Sequence, residues 1–135
     1  MKNQKKIIAI FILTVITLIT GCEKTETDIS TADREKFIGV WRAQSIGPGG
    51  NRNFTLTITA SNSAPDQVLM QNFDGGGTNT FIPASIVSSS LSIIRTVVSG
   101  ETIEGFGSYS GGDLSFNFTI DDGQSVESRT CTAQK

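Results

Sequence analysis

Two stretches of this chain alternate apolar and polar residues without a break, and they restrict the fold more than any other feature. In residues 53–60, NFTLTITA, Phe54, Leu56 and Ile58 fall on one side and Thr55, Thr57 and Thr59 on the other. In residues 113–121, DLSFNFTID, Leu114, Phe116, Phe118 and Ile120 oppose Ser115, Asn117 and Thr119. A period of two marks a strand with one face buried and one in water. Looser runs of the same kind occupy residues 37–46, 67–73, 80–87, 91–98, 102–109 and 125–133. In 80–87 the inward set is Ile82, Ala84 and Ile86, with Pro83 facing away. Proline has no N–H, so that strand is expected to carry a break or an unpaired position. Residues 30–36, STADREK, begin with a capping residue and early acids, which predicts one or two helical turns before the first strand.

Between these runs lie turn clusters such as Gly47-Pro48-Gly49-Gly50, residues 74–79, Gly111-Gly112 and Asp122-Gly123. Glycine supplies positive φ there, and Asp, Asn and Ser bond their own backbone. Short links join antiparallel neighbours, since parallel strands need long crossovers. The expected fold is therefore all-β, a small antiparallel eight-stranded meander barrel whose closure removes exposed edges. The alternative is a β-sandwich. An eight-stranded barrel has room for side chains or one small ligand. Inward Phe54, Phe116 and Phe118 take much of that room, which predicts a packed core with at most a shallow cleft at one end.

The front of the chain is of another kind. Lys2, Lys5 and Lys6 precede an aliphatic run from Ile7 to Thr20. A basic head with a short apolar run has the form of an export signal, and the run is shorter than the roughly 20 residues of a spanning helix. Ile19-Thr20-Gly21-Cys22 resembles the bacterial lipobox. That resemblance implies cleavage before Cys22 and lipid attachment at its thiol; two or three acyl chains then hold a protein durably on a membrane. The expected organisation is a signal peptide over 1–21, a flexible tether over 22–32 and a β-barrel domain over 33–135. Acidic residues just behind the anchor resemble the export tag of surface lipoproteins in Bacteroidetes-type envelopes. The expected location is thus the bacterial cell envelope, lipid-anchored at the outer membrane, with the cell surface and the periplasm both open as the side it faces.

Losing residues 1–21 removes three of eleven basic residues and none of thirteen acidic ones, leaving a net charge of about −5. With no basic stripe, nucleic acid is not an expected partner. Histidine is absent, which removes the usual general base, zinc ligand and triad member. With Cys22 lipidated, Cys131 stands alone. It reads as a buried strand thiol, against the alternatives of an intermolecular bridge or a reactive thiol.

Phe37-Ile38-Gly39-Val40-Trp41 contains Gly-x-Trp after a helical turn. This resembles the lipocalin entry motif. The resemblance implies that Gly39 and Trp41 close the barrel floor and that a basic residue from the last strand, Arg129, packs over the indole. More of the chain, through DREKFIGVW, LTIT, VLMQNF, GFGSYSGGDLSFNFTIDDG and CTAQK, is similar to small lipocalin-like lipoproteins of Bacteroidetes-type cells.

No set of residues composes a catalytic site. Gly105-Phe106-Gly107 is not followed by a helix and reads as a strand bend, not a dinucleotide loop. Gly75-Gly76-Gly77 lacks the Lys-Ser/Thr of a phosphate loop and reads as a hairpin tip. Asp121-Asp122-Gly123 has too few oxygens for a calcium loop and reads as a turn. Glu101 and Glu104 fall on opposite sides of a strand, the wrong geometry for a carboxylate pair. Trp41 reads as core ahead of sugar platform. No cofactor or metal is expected. The expected role is non-catalytic: a lipid-anchored binding or interaction module with a small apolar ligand or an envelope protein as partner. The alternative is a structural or accessory subunit of an envelope complex.

Overall fold

The computed structural model describes residues 27–135, with side chains from Thr31 onward. The expected signal segment and Cys22 lie outside the described residues. Helix α1 runs over Thr27–Glu35, starting three residues before the expected 30–36 and taking up part of the expected tether. Eight strands follow: β1 Gly39–Ile46, β2 Arg52–Ala60, β3 Gln67–Gln71, β4 Phe81–Val87, β5 Ser90–Val98, β6 Glu101–Ser110, β7 Asp113–Asp121 and β8 Val126–Gln134. Each pairs antiparallel with the next, and β8 returns to β1, so the sheet is one closed barrel in meander order. The sandwich alternative fails because β1 has ladder partners on both edges.

The alternation seen in the sequence becomes the inside and outside of the wall. Leu56, Ile58, Val68, Met70, Ile82, Ile86, Leu91, Leu114 and Phe116 are almost wholly removed from solvent. Burying one such side chain contributes roughly 1.5–3 kcal/mol. Phe116 and Phe118 point inward as expected, while Phe54 is only partly buried against the core. Pro83 sits opposite Leu69 in β4, and β4 pairs with β5 only from Ala84 onward. The ladder therefore has its gap beside the residue that cannot donate, and β5 adds a bulge between Ile93 and Thr96.

Gly105 and Gly107 face the interior across from Phe118 and Phe116. A Cβ at Gly105 would lie 2.4 Å from the Asn117 carbonyl oxygen, and one at Gly107 would lie 2.6 Å from the Phe116 ring. Gly107 clears the space for the Phe116 ring and Gly105 lets the β7 backbone at Asn117 and Phe118 come close, so the glycine pair is a packing device. Strand β3 stops at Gln71, two residues short of the expected 67–73. Asn72 adopts a left-handed φ of 59°, and the chain turns into a short 3-10 segment, Phe73–Gly75.

Candidate binding site at the barrel mouth

The barrel has two differently built ends. At the end where α1 enters, Phe37, Trp41 and Tyr109 meet in tilted and edge-on contacts, with centroids 6.0 and 6.5 Å apart. Trp41 is fully buried and its Nε1 donates to the Phe37 carbonyl at 2.9 Å. It is therefore core, with no face free for a sugar.

Arg129 does not pack over that indole, contrary to the expectation from the lipocalin resemblance. Lys135 does, with Nζ 4.5 Å from the ring centroid. The register is the reason. Arg42 pairs with Gln134 and Ile46 with Thr130, so residue 135 lies beside Trp41 while residue 129 lies past the far end of β1. Gly39 has φ of 140°, and a Cβ there would come within 3.1 Å of Lys135 Cε. The glycine of Gly-x-Trp thus both adopts a conformation other residues avoid and leaves the lysine its place.

At the far end Phe73 drops into the mouth and packs on Phe116 and Phe118, with centroids 5.5 and 4.7 Å away. Asp74, next along, has a left-handed φ of 53° and is buried. Its carboxylate accepts from the Ser45 hydroxyl and, at 2.6 Å, from Arg52 Nη1. Arg129 Nε lies 3.3 Å from Asp74 Oδ2, an ion pair in which that N–H is not aimed for a hydrogen bond. Arg129 Nη2 donates to Gly50 O at 2.8 Å and Ser45 Oγ at 3.2 Å, and Nη1 to Glu127 at 3.4 Å. Gly47 makes room for the guanidinium: a Cβ there would sit 2.7 Å from Arg129 Cγ. The arrangement is a buried carboxylate between two arginines and a hydroxyl, under an aromatic plug.

Beside the plug a recess of about 190 Å³ reaches solvent, with Phe73, Val98, Ile103 and Ile120 as apolar lining and Arg52 and Asp74 as polar lining. A smaller one of about 70 Å³ lies between Arg52, Glu101, Asp122 and Glu127. This mouth is the shallow cleft at one end that the inward phenylalanines predict. On the outer wall, a polar groove of about 560 Å³ runs over Gln44, Asn53 and Thr132, and a more apolar one of about 360 Å³ lies between Ile46 and Phe106.

The remaining candidate residues are placed apart. Backbone N–H groups of Gln124 and Ser125 donate to Asp122, at 2.8 and 2.7 Å, and hold its carboxyl below the usual range. Gly123 N–H donates to Asp121 at 2.9 Å. Both acids serve their own turn. Glu104 faces an exposed Arg95 at 4.0 Å on the outer wall, while Glu101 sits at the mouth. Cys131 is buried and free, and burial, helped by the charge of Asp74 and opposed by Arg129, pushes its thiol up to about 12. Such a thiol is a poor nucleophile at neutral pH.

Sequence reasoning missed Phe73 and Asp74 as site residues, taking the first for strand and the second for turn. A signal did exist. On the inward rows of β1 and β8, polar Ser45 and Arg129 stand where apolar residues belong, and a buried arginine needs a carboxylate.

Comparison of the chain with protein-family models, with curated proteins and with solved structures finds no match. What the fold and the mouth define is a small eight-stranded antiparallel barrel, consistent with a lipocalin-like fold.

Proposed function

We propose that this chain is a lipid-anchored cell-envelope lipoprotein acting as a non-catalytic binding module, akin to the small lipocalin-like lipoproteins of Bacteroidetes-type cells. One observation carries the binding role. Side chains fill the barrel, and the recess at its far end combines an apolar floor with Arg52 and the carboxylates of Asp74 and Glu101. The Leu18-Ile19-Thr20-Gly21-Cys22 stretch carries the membrane role. Between Cys22 and α1, four residues reach at most about 14 Å. In this reading the anchor keeps the α1 end near the bilayer and the mouth faces away from it. Mass spectrometry of the protein from native membranes tests the anchor: diacylglyceryl on Cys22 and no residues 1–21 is the expected result. A thermal-shift screen with lipids, glycans and small carboxylates tests the binding role. No stabilisation by any compound rejects a small-molecule ligand.

An accessory role in an envelope complex is the second reading, favoured by the exposed Ile46 and Phe106 at either side of the outer-wall groove. It requires one specific protein to co-purify after mild crosslinking. Recovery of a lone monomer rejects it.

A further inference from the structure

The geometry points to a carboxylate-binding site at the barrel mouth, held shut by the chain's own Phe73–Asp74 plug and opened when a small aryl or branched-alkyl carboxylate takes the plug's place. The inference rests on the binding-module reading and gives its ligand a chemical class.

The plug has the two parts of such a ligand. Its ring lies on Phe116 and Phe118, and its carboxylate meets Arg52 at 2.6 Å, Arg129 at 3.3 Å and the Ser45 hydroxyl. Aromatic edges and faces hold a ring without demanding its covalent attachment. Guanidinium groups hold any carboxylate that reaches them. Ser45 and Arg129 are each at least 98% buried and fixed on β1 and β8, so the receiving side belongs to the wall and not to the loop.

The plug itself belongs to the loop. Residues 72–80 are bonded largely among themselves: Gly77 N–H to the Asn72 side chain at 2.9 Å, Gly76 N–H to Phe73 O at 3.0 Å, and Thr80 Oγ1 to Gly76 O at 2.8 Å. Asn72 Nδ2 to Thr55 O, Gln71 Nε2 to Thr78 O, the Phe73 ring and the Asp74 carboxylate join this loop to the barrel. Asn72 and Asp74 are both left-handed, and Gly75 and Gly77 follow with positive φ. Asn and Asp tolerate left-handed backbone, so the turn keeps its shape by local preference, and its hold on the barrel rests on the ring and carboxylate contacts. The neighbouring recess of about 190 Å³ gives an entering molecule a foothold against the plug. A ligand shifts such an equilibrium only by its preference for the open state, and here that preference comes from replacing the same contacts from outside.

The test uses 3-phenylpropionate, with 3-phenylpropionamide as the uncharged control. Asp74→Asn keeps the shape of the plug and removes its charge, freeing Arg52 and Arg129 for an outside anion. By calorimetric titration of the full chain in detergent, Asp74→Asn binds 3-phenylpropionate at least about tenfold more tightly than the unaltered chain. Binding weakens at least about tenfold in Asp74→Asn with Arg52→Met, whose half-exposed arginine can be lost without opening the core, and the amide does not bind. A folded Asp74→Asn chain that takes up neither compound, or both equally, overturns the inference. Should that variant not fold, the unaltered chain decides. Saturating 3-phenylpropionate speeds amide exchange across residues 72–80 and leaves the strands protected; unchanged exchange in the loop overturns the inference. If carboxylates fail while another lipid, glycan or protein binds, only the ligand class falls. If nothing binds at all, the binding-module reading falls with it.

Discussion

The two ends of the barrel are both closed by aromatic rings, yet they are built on opposite principles. At the α1 end Phe37, Trp41 and Tyr109 meet, one indole N–H finds a carbonyl, and the single cation above them sits in water. At the mouth one ring, Phe73, is tied in place by a carboxylate buried between Arg129, Arg52 and Ser45. An apolar seal loses stability in proportion to the area removed. A buried ion pair fails abruptly, because removing one member leaves the other charged, dry and unpaired. The difference therefore predicts which end is brittle. Asp74→Ala leaves the buried Arg129 with only Glu127, Gly50 O and Ser45 as partners, while the half-exposed Arg52 turns to water, and it costs about 3 kcal/mol by urea unfolding. A cost no greater than that of trimming the α1 end would break the contrast.

The apolar seal ranks next. Trp41→Phe loses the bond to the Phe37 carbonyl and leaves a small void beside Tyr109. The expected loss is about 2 kcal/mol by the same measurement, graded and free of any change in the mouth. Loss of the Phe73 contacts in this variant, read as faster exchange in residues 72–80, would show that the ends are coupled.

How much of this contrast could be read from the residues depends on which end is considered. The strands were legible because alternation is a local signal: Leu114, Phe116, Phe118 and Ile120 announce their face within nine residues. Closure followed from short links and eight runs. The α1 end was half legible, since Gly-x-Trp pointed to Trp41 but the cation above it depends on the offset between β1 and β8. That offset is a sum over ladder pairs around the whole ring, and no local pattern records it. The mouth was the least legible. Asp74 stands 29 positions from Ser45 and 55 from Arg129, so only the closed barrel brings them together. Its neighbours Gly75, Gly76 and Gly77 made the acid look like part of a solvated turn.

Cys131 sharpens the contrast from within, since it lies on the inward row of β8 two residues from Arg129. Its thiol is raised, from 9.0 in the ordinary state to about 12, first by burial and then by the charge of Asp74. A raised acid pKa means the folded protein keeps a proton that the unfolded chain gives up. The resulting stabilisation is whole below about pH 9 and declines as pH climbs toward 12. Cys131 alone accounts for a slope of at most about 1.4 kcal/mol per pH unit in that window. Unfolding free energies between pH 9 and 12 should fall less steeply in Cys131→Ala than in the unaltered chain. Parallel profiles would mean the thiol is better solvated than its position on the inward row implies.

The smallest effect belongs to Lys135, and it carries the sharpest test of the register. The ammonium lies 4.5 Å over the Trp41 ring in an exposed position, where such a contact contributes about 0.5–1 kcal/mol and the rotamer entropy of a long side chain opposes it. Lys135→Ala is therefore expected to cost about 0.5 kcal/mol or less, and to shift the Trp41 fluorescence slightly as the ring loses its cover. Arg129→Met, in contrast, should leave that fluorescence unmoved while destabilising the protein severely. The reverse pattern, with the indole responding to residue 129 and indifferent to residue 135, would mean that β8 is displaced along β1. The mouth would then lose the arginine around which it is built.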